Sequence, residues 1–291
     1  METLQLVGIG LAYVLLGLIV LLLAKLLWDA VTPFQLTSEL TEKDNPAVGL
    51  SLVGYFLGVI IIFLGAVIGP APEEMLTTSE IFTMLAVDFG YAVFGIGLLI
   101  AGRWTVDKFV LHQFSTVKEI IEDRNVGTGA VECGCSVATA LVVAGAVSGE
   151  SSGAWWMGPV LTVAYFLVGQ VTLILFSRFY QWITKYDIHA EIEHDNVAAG
   201  TALGLSVVAM GIIVLKALTS DLEGWGETLV WFLLDAGIGF LLVMGLRKIT
   251  DGLFLPGTTL QHEIAKDQNL NAAWIEGVLA VGIAAIIFFV V

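Results

Sequence analysis

The chain has 291 residues, of which 57% are hydrophobic and 13% charged, with a mean hydropathy of +0.91. A composition this apolar excludes a water-soluble domain and indicates a protein embedded in a bilayer. The formal net charge of −15 argues against nucleic acid and anionic lipid as partners.

Eight stretches are long enough to cross about 30 Å of hydrocarbon as helices, which takes roughly 20 residues each. The connections are short, so we expect no attached soluble domain. The predicted spans are residues 5–27, 46–69, 81–102, 126–148, 155–180, 197–218, 228–246 and 271–291.

The basic residues predict the orientation of these spans. Every Lys and Arg except Lys216 lies in or beside the connections after the first, third, fifth and seventh spans. The positive-inside rule therefore places those four connections in the cytoplasm and both termini outside. The outer connections carry only acidic charge, at Glu73, Glu74, Glu80, Glu150, Asp221, Glu223 and Glu227.

The even-numbered spans share one motif, an Asn followed by small residues. Asn45, Asn125, Asn196 and Asn269 each open such a span, and Asn is a good helix N-cap. With these Asn residues in register, the small residues downstream also align, which is typical of helices whose backbones pack closely in a membrane. They are Gly54, Gly134, Gly204 and Gly277 at eight or nine positions on, and Gly58, Ala138, Ala209 and Gly282 at thirteen positions on.

The register extends upstream of the Asn residues. A Glu stands six residues before the Asn in three copies (Glu39, Glu119 and Glu263), and an Asp stands eighteen before it in two copies (Asp107 and Asp251). Each unit is thus one inward helix, a cytoplasmic segment and one outward helix, and successive units are parallel repeats. We predict an all-α membrane protein of eight transmembrane helices, built as two pseudo-twofold halves, 1–149 and 150–291.

Four carboxylates inside the predicted spans are the sharpest functional candidates. Asp88 and Glu132 lie in the first half, and Asp235 and Glu276 occupy the matching spans of the second half. An ionised carboxylate in hydrocarbon is costly, so such residues usually face a protein interior or a water-filled path. Thr128, Ser136 and Thr139 lie on the same face of the fourth span as Glu132, and this polar stripe indicates a lining other than lipid.

Two interpretations of these acids stay open. In the first, they form a proton or cation pathway in which Asp88 pairs with Glu132 and Asp235 with Glu276, so that adjacent carboxyls share protons. In the second, they are protonated, or paired with Asn, Thr or Lys216, and only hold helices together.

The other polar residues favour structural roles. The four Asn residues are interpreted as helix caps, with a ring of amides at a cytoplasmic vestibule as the alternative. His112, His189, His194 and His262 match no usual zinc spacing and are expected on a solvated face. Cys133 and Cys135 point about 200° apart around their helix and are expected to be free. No grouping of catalytic residues is found, so we expect neither enzymatic activity nor a cofactor or metal.

Two further expectations concern packing. Gln170, near the middle of the fifth span, is a candidate for an interhelical hydrogen bond. The amphipathic cytoplasmic segment 109–121 is expected to lie along the membrane interface, pack under the bundle or dock a cytosolic partner.

The stretch Val31-Thr-Pro-Phe, Glu39 and the run from Asp44 to Gly58 resemble the bacterial inner-membrane family called domain of unknown function 350, which includes the YjfL-like proteins. The repeated Asn-x-Ala-x-Gly pattern extends the resemblance over nearly the whole chain. Gly127 and Ala273 depart from this pattern. Family members commonly have four spans, so the resemblance implies a tandem fusion of two family-sized halves. It also implies gene neighbours that resemble glutathionylspermidine synthase or belong to envelope-stress systems.

The sequence therefore predicts a multi-pass bacterial inner-membrane protein with both termini in the periplasm. Its predicted function is to conduct or bind protons or small cations through Asp88, Glu132, Asp235 and Glu276, with polyamines suggested only by the resemblance. The alternative is a non-transporting scaffold that recruits cytosolic or membrane stress-response partners. Besides the bilayer, a second copy of the chain stays a candidate partner.

Overall fold

The computed structural model describes residues 2–68, 76–148, 154, 156–219, 225–255 and 257–290, which form helices without any strand among them. The predicted all-α class is thereby confirmed. The acidic outer residues Glu73, Glu74, Glu150, Asp221 and Glu223, and the boundary between the two predicted halves, lie outside the described residues.

Twelve α-helices follow one another along the described parts of the chain. In order, they are α1 (Glu2–Val31), α2 (Leu36–Thr41), α3 (Pro46–Val67), α4 (Thr78–Thr105), α5 (Thr116–Ile121), α6 (Val126–Val147), α7 (Met157–Ile183), α8 (Ile188–Glu193), α9 (Val197–Thr219), α10 (Trp225–Ile249), α11 (Leu260–Ala265) and α12 (Leu270–Val290).

Eight of the described helices are long and apolar enough to span a membrane, as predicted. Two of them run furthest past their predicted ends, at residues 102 and 246, because a π-helical turn continues each one: Val106–Val110 after α4, and Thr250–Phe254 after α10. The four remaining helices, α2, α5, α8 and α11, have six residues each and lie in the connections that precede the Asn residues.

The eight long helices form two rows. The helices that begin after an Asn stand in the order α3–α6–α9–α12, each packed against the next. The second row, α1, α4, α7 and α10, covers one side of the first: α4 packs on α3 and α6, α7 on α6 and α9, and α10 on α9 and α12. The first row is open at its ends, since 72% of the spanning window is buried in both α6 and α9 but 50% in α3 and 28% in α12.

Small residues bring the helices of the first row into backbone contact, as the sequence predicts. A Cβ added at Gly134 of α6 would overlap the backbone of Gly204 in α9, and one added at Gly54 of α3 would overlap that of Cys133. In a membrane, where lipid is as apolar as leucine, such close approach is the main source of helix association. The α6–α9 contact also joins the two halves of the chain. The buried apolar residues of the described chain form two clusters, and each cluster contains residues of both halves.

The connections before the Asn residues pack under the bundle, on what we call the Asn side of the molecule. Ile120, Ile192 and Ile264 of the short helices are 0–1% exposed. Leu111 is also fully buried, so the amphipathic segment 109–121 adopts the second of its three predicted placements. Just before each Asn stands one residue with a left-handed backbone, which turns the chain into the next span. These residues are Asp44, Arg124, Asp195 and Gln268, with φ between 48° and 62°.

Candidate functional site

A buried ion pair joins the two last spans of each half. In the first half, the Arg103 guanidinium on α4 lies 3.1 Å from the Glu132 carboxylate on α6. In the second half, Arg247 on α10 lies 2.7 Å from Glu276 on α12. Both carboxylates are 2% exposed, so neither is open to lipid or to solvent. A charge this deeply buried is tolerated because its counter-ion is in direct contact.

An aromatic ring from the first helix of each half completes the pair. The Arg103 guanidinium lies 4.3 Å from the ring centre of Trp28 on α1, and Arg247 lies 5.2 Å from that of Tyr180 on α7. Guanidinium groups interact favourably with aromatic faces when little water is present.

The second carboxylate oxygen shows how the two pairs differ. The Ser51 hydroxyl of α3 donates a hydrogen bond to Glu132 Oε2. Glu276 accepts a 3.0 Å bond from the Tyr180 hydroxyl on Oε1, while its Oε2 has no partner among the described residues. The residue of α9 that corresponds to Ser51 is Ala202, which has no hydroxyl to donate.

A third charge belongs to each cluster. Asp107 and Asp251 stand one helical turn after Arg103 and Arg247, in the two π-helical turns, and both interact electrostatically with the nearby Glu. Asp251 also accepts a 2.6 Å hydrogen bond from the backbone N–H of Leu260. Each cluster therefore holds two carboxylates and one guanidinium.

The two outer acids have partners of their own. Asp88 on α4 accepts a 2.5 Å hydrogen bond from the Tyr13 hydroxyl on α1. Asp235 on α10 accepts bonds of 3.0 and 3.2 Å from the Lys216 ammonium on α9. Lys216, the one basic residue predicted towards the outer side, thus forms an ion pair with Asp235.

The predicted pairing of acids within each half is wrong. Asp88 lies 15 residues before Arg103 on one helix, which separates it from the Glu132 pair by about 22 Å at 1.5 Å per residue. Asp235 lies 12 residues before Arg247, or about 18 Å. Carboxyls this far apart cannot share a proton, and each instead contacts a cation or a hydroxyl on a neighbouring helix.

The polar stripe of α6 faces protein, which agrees with the prediction that it does not face lipid. Thr128 and Thr139 are at most 1% exposed, and Ser136 lines a crevice between Arg103 and Glu132 that is too narrow for a water molecule. Thr139 accepts a 3.1 Å bond from Gln170, which itself accepts a 2.8 Å bond from Thr105. The interhelical role predicted for Gln170 is confirmed.

All four Asn residues cap their helices, as predicted. The side-chain oxygen of each accepts from a backbone N–H in the first turn. The side-chain amide of each donates to a Glu of its own unit: Asn45 to Glu39, Asn125 to Glu119, Asn196 to Glu191 and Asn269 to Glu263. Because each amide hydrogen-bonds within its own unit, the amides do not line a vestibule.

Two of these Glu residues differ in their pKa. Burial opposes the charge of Glu39, but hydrogen bonds from Lys43 and Asn45 outweigh it and hold the pKa below its usual value. Burial dominates at Glu119, where it raises the pKa against the bond from Asn125. The difference arises because Lys43 lies 2.6 Å from Glu39, whereas Lys118 bonds to Asp123 instead.

The expectation of solvated histidines is wrong for His189, which is 6% exposed. Its ring lies 5.0 Å from that of His112, and its Nε2 lies 2.7 Å from the Val110 carbonyl oxygen. Burial lowers the pKa of His189 and so favours the neutral ring. Cys133 and Cys135 are free, as expected. No group of three His, Cys, Asp or Glu residues able to hold a metal occurs in the part of the chain that the structure describes.

Sequence reasoning missed Arg103 and Arg247 as site residues and used them only for orientation. A signal was present, because both stand 22 residues before their Asn, in the same units that carry Asp at eighteen before and Glu at seven after. Tyr13, Ser51 and Tyr180 gave no such signal, because each lies in a unit other than the one whose acid it contacts.

Comparison with known proteins gives two matches. Residues 2–147 and 154–291 each match the family described as Domain of Unknown Function (DUF350). A UPF0719 transmembrane protein of Aquifex aeolicus (strain VF5) is 23% identical over 180 residues, which is 60% of this chain and 64% of that protein. The chain thus spans less than two thirds of this relative's length. No solved structure matches the chain.

Proposed function

Because the chain belongs to the domain of unknown function 350 family, whose name assigns no chemistry, we propose its function from the geometry: a non-transporting, non-enzymatic scaffold of the bacterial inner membrane. One observation carries the proposal. Each of Asp88, Glu132, Asp235 and Glu276 contacts a hydroxyl or a cation on another helix.

An ion pathway needs groups that can release one partner and take up the next. Arg103 and Glu132 are 15% and 2% exposed in their side chains and lie in direct contact. Separating such a pair strands a buried charge, which costs roughly 3–5 kcal/mol. The crevice beside the pair is too narrow for water that could replace the lost contact. The geometry therefore favours acids that fasten helices over acids that pass ions.

The Asn side provides the surface for recruitment. By the positive-inside rule it faces the cytoplasm. Its short helices bury their isoleucines under the bundle and expose polar side chains, such as Lys118 and Asp123. We propose that this polar face recruits cytosolic partners, with envelope-stress proteins as the first to test.

Flux through purified protein in liposomes tests the scaffold. We expect proton, alkali-ion and polyamine uptake equal to that of empty liposomes, with an added ionophore showing that the vesicles are sealed. Uptake above that background in the wild type, lost on Glu132→Gln with Glu276→Gln, would contradict the scaffold.

Conducting or binding protons or small cations is a second candidate function, favoured by one observation. Each cluster has two carboxylates for one guanidinium, and Glu276 Oε2 has no partner among the described residues. A bound proton or cation would balance the remaining charge. The same assay separates the two functions, because ion passage through the clusters predicts that Asp107→Asn with Asp251→Asn also lowers uptake.

A further inference from the structure

One hydrogen bond recurs at every junction between successive units. The side-chain amide of each Asn donates to a backbone carbonyl in the short helix of the following unit, as well as to the Glu of its own unit. The bonds run from Asn45 to Ile120 O (2.9 Å), from Asn125 to Ile192 O (2.5 Å) and from Asn196 to Ile264 O (2.8 Å). This bond has a direction, from one unit to the next, so it orders the units head to tail.

The two ends of the chain each carry half of this junction. Asn269 caps α12 in the last of the four units and donates to Glu263, and its amide has no bond to a backbone carbonyl among the described residues. Leu40 is the first unit's counterpart of Ile120 and Ile264, five residues before the Asn. No hydrogen bond to the Leu40 carbonyl occurs within the described residues. Leu40 and Asn269 are also only partly buried, whereas their counterparts in the inner units are fully buried.

The outer faces of α3 and α12 lack the helix contacts that the equivalent repeat positions make inside the row. Thirteen residues after the Asn, Gly58 and Ala138 are buried against the next helix and Ala209 is also buried, but a Cβ at Gly282 would meet nothing within 4 Å. Four residues after the Asn, Gly129 and Gly200 touch the backbone of the preceding helix. Gly49 of α3, at the same position, has only the Leu40 side chain at 3.9 Å.

We propose that copies of this chain associate head to tail in the membrane, with α12 of one copy packed against α3 of the next. The Asn269 amide of the first copy then donates to the Leu40 carbonyl of the second. The occupant is a second copy because the three junctions within the chain already show two complementary faces meeting in this way. In lipid, the hydrophobic effect does not drive helices together, and close packing at small residues and interhelical hydrogen bonds promote their association instead.

Such a contact is heterologous, since two different surfaces meet. If the rotation between successive copies brings the last copy back to the first, the copies form a closed ring. Otherwise they form an extended row. The two faces cannot meet within one chain, because α6 and α9 stand between α3 and α12 in the row. A ring or an extended row would multiply the polar Asn side on which the proposed scaffold rests.

Directed cross-linking tests the contact. Gly54 and Cys133, nine and eight residues after their Asn, touch across the α3–α6 junction, and Val278 and Val53 hold the same two positions at the free ends. They are 64% and 51% exposed. In a Cys133→Ala, Cys135→Ala background, we expect a chain with Val278→Cys to form a disulfide with a differently tagged, co-expressed chain with Val53→Cys. Neither variant alone is expected to cross-link.

A packing variant with a matched control gives an independent measure. Gly282→Leu fills the open position of α12, and Gly97→Leu makes the same change on α4, where a Cβ also meets nothing within 4 Å. We expect Gly282→Leu to lower the cross-linked fraction at least about tenfold, which corresponds to 1.4 kcal/mol, and Gly97→Leu to leave it unchanged. Native mass spectrometry in detergent should show the same loss of multimers.

Three outcomes would overturn the contact: a Val278→Cys chain that cross-links with itself, no disulfide between the two tagged chains, or equal effects of the two glycine substitutions. Each is distinct from the flux result, because a conducting protein and a scaffold can both assemble head to tail.

Discussion

At the scale of residues, each of the four intramembrane acids predicted from the sequence contacts a cation or a hydroxyl on another helix. Glu132 shows the arrangement, with Arg103 on one oxygen, Ser51 on the other and Trp28 against the guanidinium. In low dielectric the attraction between two opposite charges in contact is strong, but so is the cost of desolvating them. The pair therefore fixes the position of α4 relative to α6, and removing one partner lowers the stability of the fold.

Removing one partner of this pair should cost more than removing both. We expect Glu132→Leu to lower the free energy of unfolding by about 3–5 kcal/mol, because Arg103 is left buried without the carboxylate that lies in direct contact with it. Arg103→Met with Glu132→Leu should recover most of that loss. Unfolding in mixed micelles measures both. Lys25 and Asp29, a partly exposed pair on α1 with side chains 45% and 34% exposed, are the control, and Asp29→Ala should change stability by less than about 0.5 kcal/mol. A double variant no more stable than the single one would contradict this account.

At the scale of elements, the close contact of α6 with its two neighbours sets the architecture. Gly134 permits backbone contact with Gly204, and Gly129 approaches the Ala47 carbonyl on the opposite side. Both contacts lie in the register of the repeat, so the same local packing recurs along the row. The composition predicts which segments are membrane-spanning helices. The helices form a row only because the residues on their contacting faces are small.

A bulky residue at the centre of the row should prevent its assembly. Gly134→Leu places a side chain into the backbone of α9, and overpacking of this severity should cost more than about 3 kcal/mol. Gly90→Leu, on α4 where a Cβ meets nothing within 4 Å, should fold as the wild type does. The two variants are compared by size-exclusion chromatography in detergent, before and after heating, which measures how much folded monomer each retains. Equal stability of the variants would show that α6 and α9 are less closely packed than described.

At the scale of the whole molecule, eight spans place both chain termini on the same side of the membrane, and the four Asn residues begin their helices at the other side. The distribution of Lys and Arg predicts that this Asn side is cytoplasmic. The rows of helices do not themselves choose between the two orientations, so the assignment rests on the charges.

Labelling with a membrane-impermeant maleimide tests the orientation. In a background without Cys133 and Cys135, Ser79→Cys, at the exposed start of α4, should react in intact cells. Glu193→Cys, exposed on the Asn side, should react only after permeabilisation. The reverse pattern would invert the orientation, and reaction of both sites from one side would contradict the eight-span topology.

The sequence by itself determined the class of protein, the number of spans, the repeat and the capping role of each Asn. These depend on hydropathy over about 20 residues and on spacing along one chain, which are local properties. It also placed the polar stripe of α6 away from lipid, because Thr128, Glu132 and Thr139 recur at helical spacing.

Only the tertiary structure decided the partners of the acids. Tyr13 lies 75 residues from Asp88, and Tyr180 lies 96 residues from Glu276. No spacing rule connects positions in different units. The sequence also did not predict the open row, because four parallel repeats in a sequence fit a closed ring as well as a line. The packing of α6 and α9 between α3 and α12 selects the line, and it leaves Leu40 and Asn269 as the two unmatched ends.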